Sequence, residues 1–442
     1  MTDLRRRDLL ALAALAGPAF AQSPAAPEPP RLALLVGNRD YPAGEDLPPI
    51  HKNVRDLRGA LEKRGFTVTE GLDLDLPGAR ALMERFVAGV RAAPPEATVF
   101  FYFSGHGAQV DAENLLVSAH VNPKSPPAAL LRGSMTLTQD VIGQLPHRPA
   151  GLTMAVVDAC RTSLVSALQS DGLNQVEAPP GCLIAFATGA GKPAIAPADD
   201  TRNTFYTGSL VKLLESASDE VTFSDLFRMV KTDVQNTMLN HPVVLLRKFA
   251  QFPFIAENTQ VQRRIAPLAE AAAAAPPRFG NELEAGAFLR LQAAAWPADV
   301  VRVAGEFLQT WPQSRLAASA QVALDGATEA ATILRRNDVR LYRNAFDPAG
   351  LPDERVPDVA KAARGDKDAA ARLGRVYRGQ PGGAGRYEGW LQYASALGNG
   401  IAAYELALSY RRLGQPLLAA QYEGRARDLG YTPPPSLDNT RK

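Results

Sequence analysis

Apolar residues in the first half of the chain follow two rhythms, short unbroken runs and stretches with helical spacing, and the two alternate. Arg31-Leu32-Ala33-Leu34-Leu35-Val36-Gly37 is a continuous apolar run closed by glycine, the pattern of a strand buried on both faces. From Asn53 to Arg64, Val54, Leu57, Ala60 and Leu61 fall on one helical face and Gly65 stops the helix. A short strand follows at Phe66-Thr67-Val68-Thr69, then an amphipathic helix over Arg80–Ala92. A third strand, Thr98–Phe103, runs into Ser104-Gly105-His106-Gly107, which reads as a small-residue turn. A fourth, Leu152–Val157, runs into Asp158-Ala159-Cys160, and a fifth covers Cys182–Thr188. The alternation predicts an α/β fold, a mainly parallel sheet with helices on both faces. Ligand sites in such sheets lie beyond the carboxyl ends of the strands, and both His106 and Cys160 fall at such ends.

After about residue 260 the texture changes. Ala271 to Pro277 reads as a linker, and almost everything beyond it is helical and Ala-rich. Leu373-Gly374-Arg375-Val376-Tyr377 recurs as Leu406-Ala407-Leu408-Ser409-Tyr410, and Ala394–Gly398 recurs as Ala426–Gly430, at an offset of 32 to 33 residues. That offset is close to the ~34 of tetratricopeptide-type hairpins, which bury their apolar faces only by stacking. Trp296–Ala320 looks like another degenerate hairpin. The expected organisation is a leader over 1–21, a Pro- and Ala-rich linker over 22–30, the α/β domain over 31–260, a helical region over 278–350 and all-α helical repeats over 355–432. Protein binding is the expected role of the repeats, a helical cap on the sheet the alternative.

Composition changes this picture little. A chain of 442 residues exceeds the ~100–200 of one domain. The 46% hydrophobic and 21% charged content is that of a soluble globular protein, and a net charge of +2 gives no electrostatic footprint for nucleic acid. The leader adds an address: Arg5-Arg6-Arg7-Asp8-Leu9-Leu10, an apolar run to Ala16 and a small-x-small Ala19-Phe20-Ala21 resemble a twin-arginine export signal, with Arg5 where that pattern usually has Ser or Thr. No later stretch reaches the ~18–20 apolar residues that span a bilayer, so a periplasmic or secreted protein without membrane attachment is expected.

Two cysteines, Cys160 and Cys182, are too few for a disulfide framework. Cys182 starts a strand and reads as a buried apolar filler. Of the five histidines, His51, His106, His120, His147 and His241, only His106 is held between glycines directly after a hydrophobic strand. Cys160 occupies the same place on the next strand, and a thiol beside a histidine is the general recipe for an activated nucleophile. Asp73-x-Asp75 and Asp199-Asp200 are the acidic pairs from which a calcium site could be built, though such pairs are usually solvated loops, and no cofactor is expected.

Ala33–Asn38, the helix bearing Asn53 and Asp56, Lys63–Val68, Phe101-Tyr102-Phe103-Ser104-Gly105-His106-Gly107 and Val156-Val157-Asp158-Ala159-Cys160-Arg161 resemble, in that order, the large-subunit landmarks of bacterial caspase-like peptidases and metacaspases. His106 and Cys160 lie 54 residues apart, matching the roughly 50 of caspases. Phe186–Gly191 resembles the segment bordering the substrate groove, and Arg202–Tyr206 and Val243–Ile255 resemble small-subunit elements. Arg161 and Thr162 depart from both the caspase and the metacaspase signatures, so neither subgroup is assigned.

The resemblance implies acyl transfer on protein or peptide substrates. Cys160 would attack the carbonyl, His106 would protonate the leaving amine, and the N–H groups of Gly107 and Cys160 would bind the oxyanion, each donor worth ~3–4 kcal/mol. By the metacaspase pattern Asp56, Ser104 and Asp158 would line the specificity pocket, and two carboxylates there favour Arg or Lys. Lys192 and Arg202 would then be candidate self-processing points. A catalytically idle scaffold acting through its helical repeats is the alternative, as is the same dyad acting on a non-peptide amide.

Overall fold

The computed structural model describes residues 28–110, 112–160, 174–189, 197–265 and 281–433, and at Cys160 the backbone alone. The predicted leader, the Ala271–Pro277 linker, Arg161, Thr162, Gly191 and Lys192 lie outside the described residues.

Eight strands form one sheet. β1 (Arg31–Gly37), β2 (Phe66–Leu72), β3 (Thr98–Val110), β6 (Leu152–Cys160), β7 (Cys182–Phe186) and β8 (Phe254–Asn258) lie in the spatial order β2-β1-β3-β6-β7-β8. All neighbours are parallel except β7 and β8. β4 (Glu113–Val117) and β5 (Ser134–Thr136) branch off as an antiparallel extension of β3.

Strands buried on both faces need cover on both. On one face α1 (Ile50–Lys63), α4 (Phe205–Ser216) and α5 (Phe223–Leu239) seat Val54, Leu57, Leu210 and Phe227 on Leu35, Tyr102 and Val156. On the other, α2 (Leu76–Ala92) seats Leu82, Phe86 and Val90 on Leu34, Phe101 and Val157. The expected stop signals operate: Gly65 takes φ 78° after α1. Asp75 accepts from the Gly78 N–H at 2.8 Å to cap α2, which therefore starts at Leu76, four residues earlier than its apolar spacing suggested. Two short helices, α3 (Pro127–Gly133) and α6 (Val244–Lys248), complete the domain.

One sequence expectation is corrected. Ser104–Gly107 is no turn: β3 stays extended through it, exchanging its parallel neighbours for antiparallel pairing of Gly107–Val110 with Glu113–Leu116. Gly105 is small for another reason. A Cβ there would stand 2.6 Å from the Tyr41 hydroxyl, so the glycine permits a side chain to sit on the strand.

Beyond residue 281 the described chain is helical: α7 (Glu282–Ala293), α8 (Pro297–Thr310), α9 (Ala317–Ile333), α10 (Val356–Ala363), α11 (Lys367–Val376), α12 (Ala384–Ala396), α13 (Gly400–Arg412) and α14 (Pro416–Asp428). One apolar cluster runs from Ala287 to Ala419 with Trp390 fully buried in it. Leu373 and Leu406, equivalent in the sequence repeat, both bury there, and the equivalent glycines Gly398 and Gly430 both take positive φ at helix ends. Among the described residues no helix is long and apolar enough to cross a membrane.

Candidate active site

β3 and β6 run parallel in a register that pairs Ser104 with Asp158, Gly105 with Ala159 and His106 with Cys160. The two candidate catalytic residues, far apart in sequence, are thus cross-strand partners at the carboxyl end of the sheet.

His106 is fixed from three directions. Its Nε2 lies 2.8 Å from the backbone carbonyl of Glu45. A carbonyl oxygen only accepts, so Nε2 carries the hydrogen and Nδ1 keeps the lone pair, a tautomer assigned from the partner. The backbone N–H of His106 donates to the Tyr41 hydroxyl at 3.0 Å, and the Tyr41 ring stands edge-on to the imidazole with centroids 4.6 Å apart. Tyr41 Oη in turn donates to the Val117 carbonyl at 3.1 Å, tying the β1–α1 loop to β4. Burial lowers the imidazole's pKa below its ordinary 6.5 and the Lys124 charge adds to this, while the bond to Glu45 opposes it. The neutral, proton-accepting form is favoured.

The loop that brings up the Glu45 carbonyl is strained. Ala43 has φ 64° and Asp73 φ 49°, and these are the non-glycine residues with positive φ among those described. Such positions cost about 1–3 kcal/mol and persist where surroundings over-determine them. Asp73, in the connection between β2 and α2, is held in this way: its Oδ1 accepts from the N–H groups of Arg39 (2.6 Å) and Asp40 (3.0 Å), and its Oδ2 pairs with His51 Nε2 at 2.6 Å.

Beneath the histidine lies a buried polar network. Asp158 is 3% exposed. Its Oδ2 accepts from the hydroxyls of Thr204 and Thr207, each at 2.5 Å. Since Thr207 donates there, the 2.6 Å contact with Tyr102 must have Tyr102 as donor. Asn53 Nδ2 reaches Thr204 Oγ1 at 3.1 Å and Ser104 Oγ at 3.3 Å, and Asn53 Oδ1 accepts from the Thr204 N–H. Thr204 is also the N-cap of α4, accepting from the Thr207 N–H. The carboxylate therefore sits where the amino end of a helix favours negative charge. Burial still wins in sign: Asp158's pKa is raised, with the threonine hydroxyls opposing.

Of the three predicted specificity residues, the structure joins Ser104 and Asp158 in this network through Asn53 and Thr204. Asp56 stands one turn beyond Asn53 on α1, where its carboxylate pairs with Lys52 at 2.6 Å and with Arg55 at 3.7 Å.

The model of the caspase domain matches residues 30–263, a little over half of the chain. The chain belongs to the caspase-domain family. Among solved structures, caspase-1 from Spodoptera frugiperda is similar at 16% identity and a TM-score of 0.41, over 54% of this chain and 90% of that one. No curated protein matches the chain.

Other predicted residues of the caspase domain fall as follows. Gly107 lies opposite Leu116 in the antiparallel half of β3. Asp75 caps α2, Asp73 holds the β1–α1 loop, and Asp199 accepts from Thr201 and pairs with Arg202 at 2.7 Å, so these three of the carboxylates raised as calcium ligands have protein partners. Cys182 is 5% exposed and burial pushes its thiol up to about 12, an inert filler. Sequence reasoning missed the parts played by Tyr41, Glu45, Thr204 and Thr207. Glu45 acts through its backbone, which carries no residue signal. Thr204 had one available: a hydroxyl residue directly before the apolar helix starting at Phe205.

Proposed function

We propose that this caspase-domain protein is a cysteine endopeptidase in which Cys160 and His106 act as a dyad. The observation that carries the reading is the cross-strand pairing of these two residues, with the imidazole oriented by the Glu45 carbonyl. The Cys160 sulfur attacks the peptide carbonyl as its proton passes to His106 Nδ1, forming a tetrahedral intermediate. His106 then gives that proton to the departing amine, leaving a thioester. Water, deprotonated by the same nitrogen, releases the acid and restores the thiol. The N–H groups of Gly107 and Cys160 are assigned to the oxyanion.

The proposed preference is for Arg or Lys on the acyl side. Both threonine hydroxyls bond to Oδ2 of Asp158, and the proposal assigns Oδ1 to the substrate cation. Asp56 would exchange its Lys52 partner for that cation. Export rests on the leader's arginines and apolar run alone, and its test is the amino terminus of the protein recovered outside the cytoplasm. The catalytic test is a panel of fluorogenic peptides ending in Arg, Lys or Asp, run on the protein and on Cys160→Ala. Turnover of the Arg and Lys peptides by the first alone is expected; equal turnover by both removes Cys160 from the chemistry, and turnover of the Asp peptide alone removes the pocket assignment.

A further inference from the structure

The loop that presents the Glu45 carbonyl runs from β1 to α1 and is closed on itself. The Leu47 N–H donates to the Arg39 carbonyl at 2.9 Å, and the Tyr41 N–H donates to Asp46 Oδ1 at 2.7 Å. Residues 39–47 are thus braced as one unit, and whatever holds Arg39 and Asp40 sets where Tyr41 and Glu45 stand. Those two are the residues that touch the imidazole from this loop, Tyr41 by its ring and hydroxyl and Glu45 by its carbonyl.

Side chains from outside the loop hold it at two places. Toward its tip Lys124 pairs with the Glu45 carboxylate, a bond whose lysine is exposed and which water weakens. At its base Asp73 Oδ1 takes both the Arg39 and the Asp40 N–H, and bonds to a charged acceptor are roughly twice as strong as neutral ones. Asp73 is placed in turn by three further contacts. Its own N–H donates to the Gly37 carbonyl at 2.9 Å, and the next N–H, that of Leu74, donates to Asn38 Oδ1 at 3.1 Å. His51, in the first turn of α1, brings Nε2 to 2.6 Å from Asp73 Oδ2. An ionised carboxylate only accepts, so His51 Nε2 is the donor. Helix capping does not account for the positive φ of Asp73, because α2 has its own cap in Asp75. A strained non-glycine residue that begins no helix points to a constraint elsewhere, and the constraint at hand is the loop on the base.

We propose that Asp73 and His51 are positioning residues for the candidate base. One carboxylate oxygen of Asp73 is held by His51, and the other fixes the root of the loop that sets the tautomer and orientation of His106. The inference rests on the peptidase reading for the role of His106, but its first readout is the state of the imidazole and needs no turnover.

The test uses the full chain labelled with 15N-histidine, with His106→Gln to identify the His106 signals among the five histidines. Asp73→Gly takes positive φ without strain and so removes the carboxylate alone. Asp73→Asn keeps an Oδ1 that can accept from both N–H groups. Spectra are taken above pH 6.5, where the imidazole is neutral. The unaltered protein is expected to show His106 as one Nε2-protonated tautomer, Asp73→Gly the averaged shifts of two tautomers, and Asp73→Asn the original pattern. On an Arg peptide, kcat of Asp73→Gly should fall by about 10- to 100-fold with KM little changed, and Asp73→Asn should restore most of it. Asp73→Gly with the original tautomer and kcat overturns the proposal, even if its melting temperature falls, because the carboxylate would then support the fold alone. An Asp73→Asn protein as impaired as Asp73→Gly overturns it too, since the acceptor at Oδ1 would count for nothing. If the unaltered protein cleaves no peptide, the peptidase reading fails and the tautomer shifts by themselves decide this inference. Should Asp73→Gly fail to fold, His51→Leu, which leaves Oδ2 without its donor, and His51→Gln, whose Nε2 restores one, are read in the same way.

Discussion

His106 Nε2 and the Glu45 carbonyl, 2.8 Å apart, fix which nitrogen of the candidate base is free to take a proton. Burial pushes the imidazole's pKa below 6.5, outweighing the Glu45 carbonyl bond and the Glu45 charge, which both favour the imidazolium. The neutral form therefore survives to a pH lower than a free histidine allows. The acid limb of kcat/KM is expected below pH 6.5, and an acid limb above it, from a base that charges too easily, would contradict the assignment. The stability sign runs the same way: a lowered histidine pKa contributes stability in full above 6.5, lost as pH falls from there through the folded value. Acid unfolding of His106→Gln should lack that component.

Gly105 and Tyr41 form the second contact on which the base depends. A Cβ at 105 would meet the phenol oxygen at 2.6 Å, so Gly105→Ala must move the ring that packs on His106. Tyr41→Phe removes the acceptor of the His106 N–H, at about 1–3 kcal/mol for a group left dry, while the Val117 carbonyl loses the hydroxyl but keeps Asn38 Nδ2 at 3.0 Å. Both variants should bind peptide inhibitors with little change in affinity while kcat falls, more for Gly105→Ala. Unaltered kcat in Gly105→Ala would show that the ring does not position the imidazole.

Which of this was legible in the chain depends on the kind of signal each part leaves. Unbroken apolar runs announced the central strands, and glycine-flanked His106 and Asp158-Ala159-Cys160 announced the candidate dyad, because strand ends in α/β sheets are where side chains meet an open crevice. The continuation of β3 was hidden, since a glycine that makes room for Tyr41, as Gly105 does, looks in sequence like one that makes a turn. β4 was hidden too: Leu115-Leu116-Val117 is too short a run to separate from loop. The network on Asp158 joins residues up to 151 positions apart, and no local pattern encodes Asn53 meeting Thr204. The bonds of Lys367, Asp368 and Arg372 to the backbone of β8 were hidden as well, since on a helix such residues read as an ordinary solvated face.

Asp158 and Asp56 make separable contributions to the proposed preference for basic residues. Asp158→Asn keeps the shape and loses the charge; losing a buried charged acceptor, worth about 1.5–3 kcal/mol, predicts a fall of roughly 10- to 100-fold in kcat/KM for Arg peptides. Asp56→Asn, on a half-exposed carboxylate already paired with Lys52, predicts a smaller fall. Peptides with a neutral residue at that position should lose far less with either variant. Equal losses on Arg and neutral peptides would make Asp158 a support of the fold and not of selection.

Chelation gives a direct check on the acidic loops. Asp73, Asp75 and Asp199 each hold backbone N–H or hydroxyl partners that a hard cation would have to displace. Turnover should be the same in EDTA as in millimolar calcium. Activation by calcium would require those loops to rearrange, and Asp73→Asn would then abolish the response.

Gln175 ties the segment downstream of the candidate nucleophile to the helical region. It is 6% exposed, its Oε1 accepts from the Gly400 N–H at 2.8 Å, and its Nε2 donates to the carbonyls of Leu429 (2.6 Å) and Gly398 (3.2 Å). One side chain thus grips both ends that the sequence repeat makes equivalent, Gly398 and the turn at Gly430. Next to it, Asn174 exchanges hydrogen bonds with Thr432 and with Asn114 in β4. Gln175→Ala strips the buried Gly400 N–H and two half-buried carbonyls of their partner, and with about 1–3 kcal/mol for a stranded group the loss should reach a few kcal/mol after relaxation. Gln175→Glu is the sharper variant: its Oε1 still accepts from Gly400, but a second carboxylate oxygen now faces two carbonyls that need a donor. It should destabilise at least as much as Gln175→Ala above the carboxylate's pKa and recover as acid protonates it, because the protonated form can donate again. A Gln175→Glu protein with the melting temperature of the original at neutral pH would mean that water replaces the Nε2 donor, and that the grip on the helical region is made elsewhere.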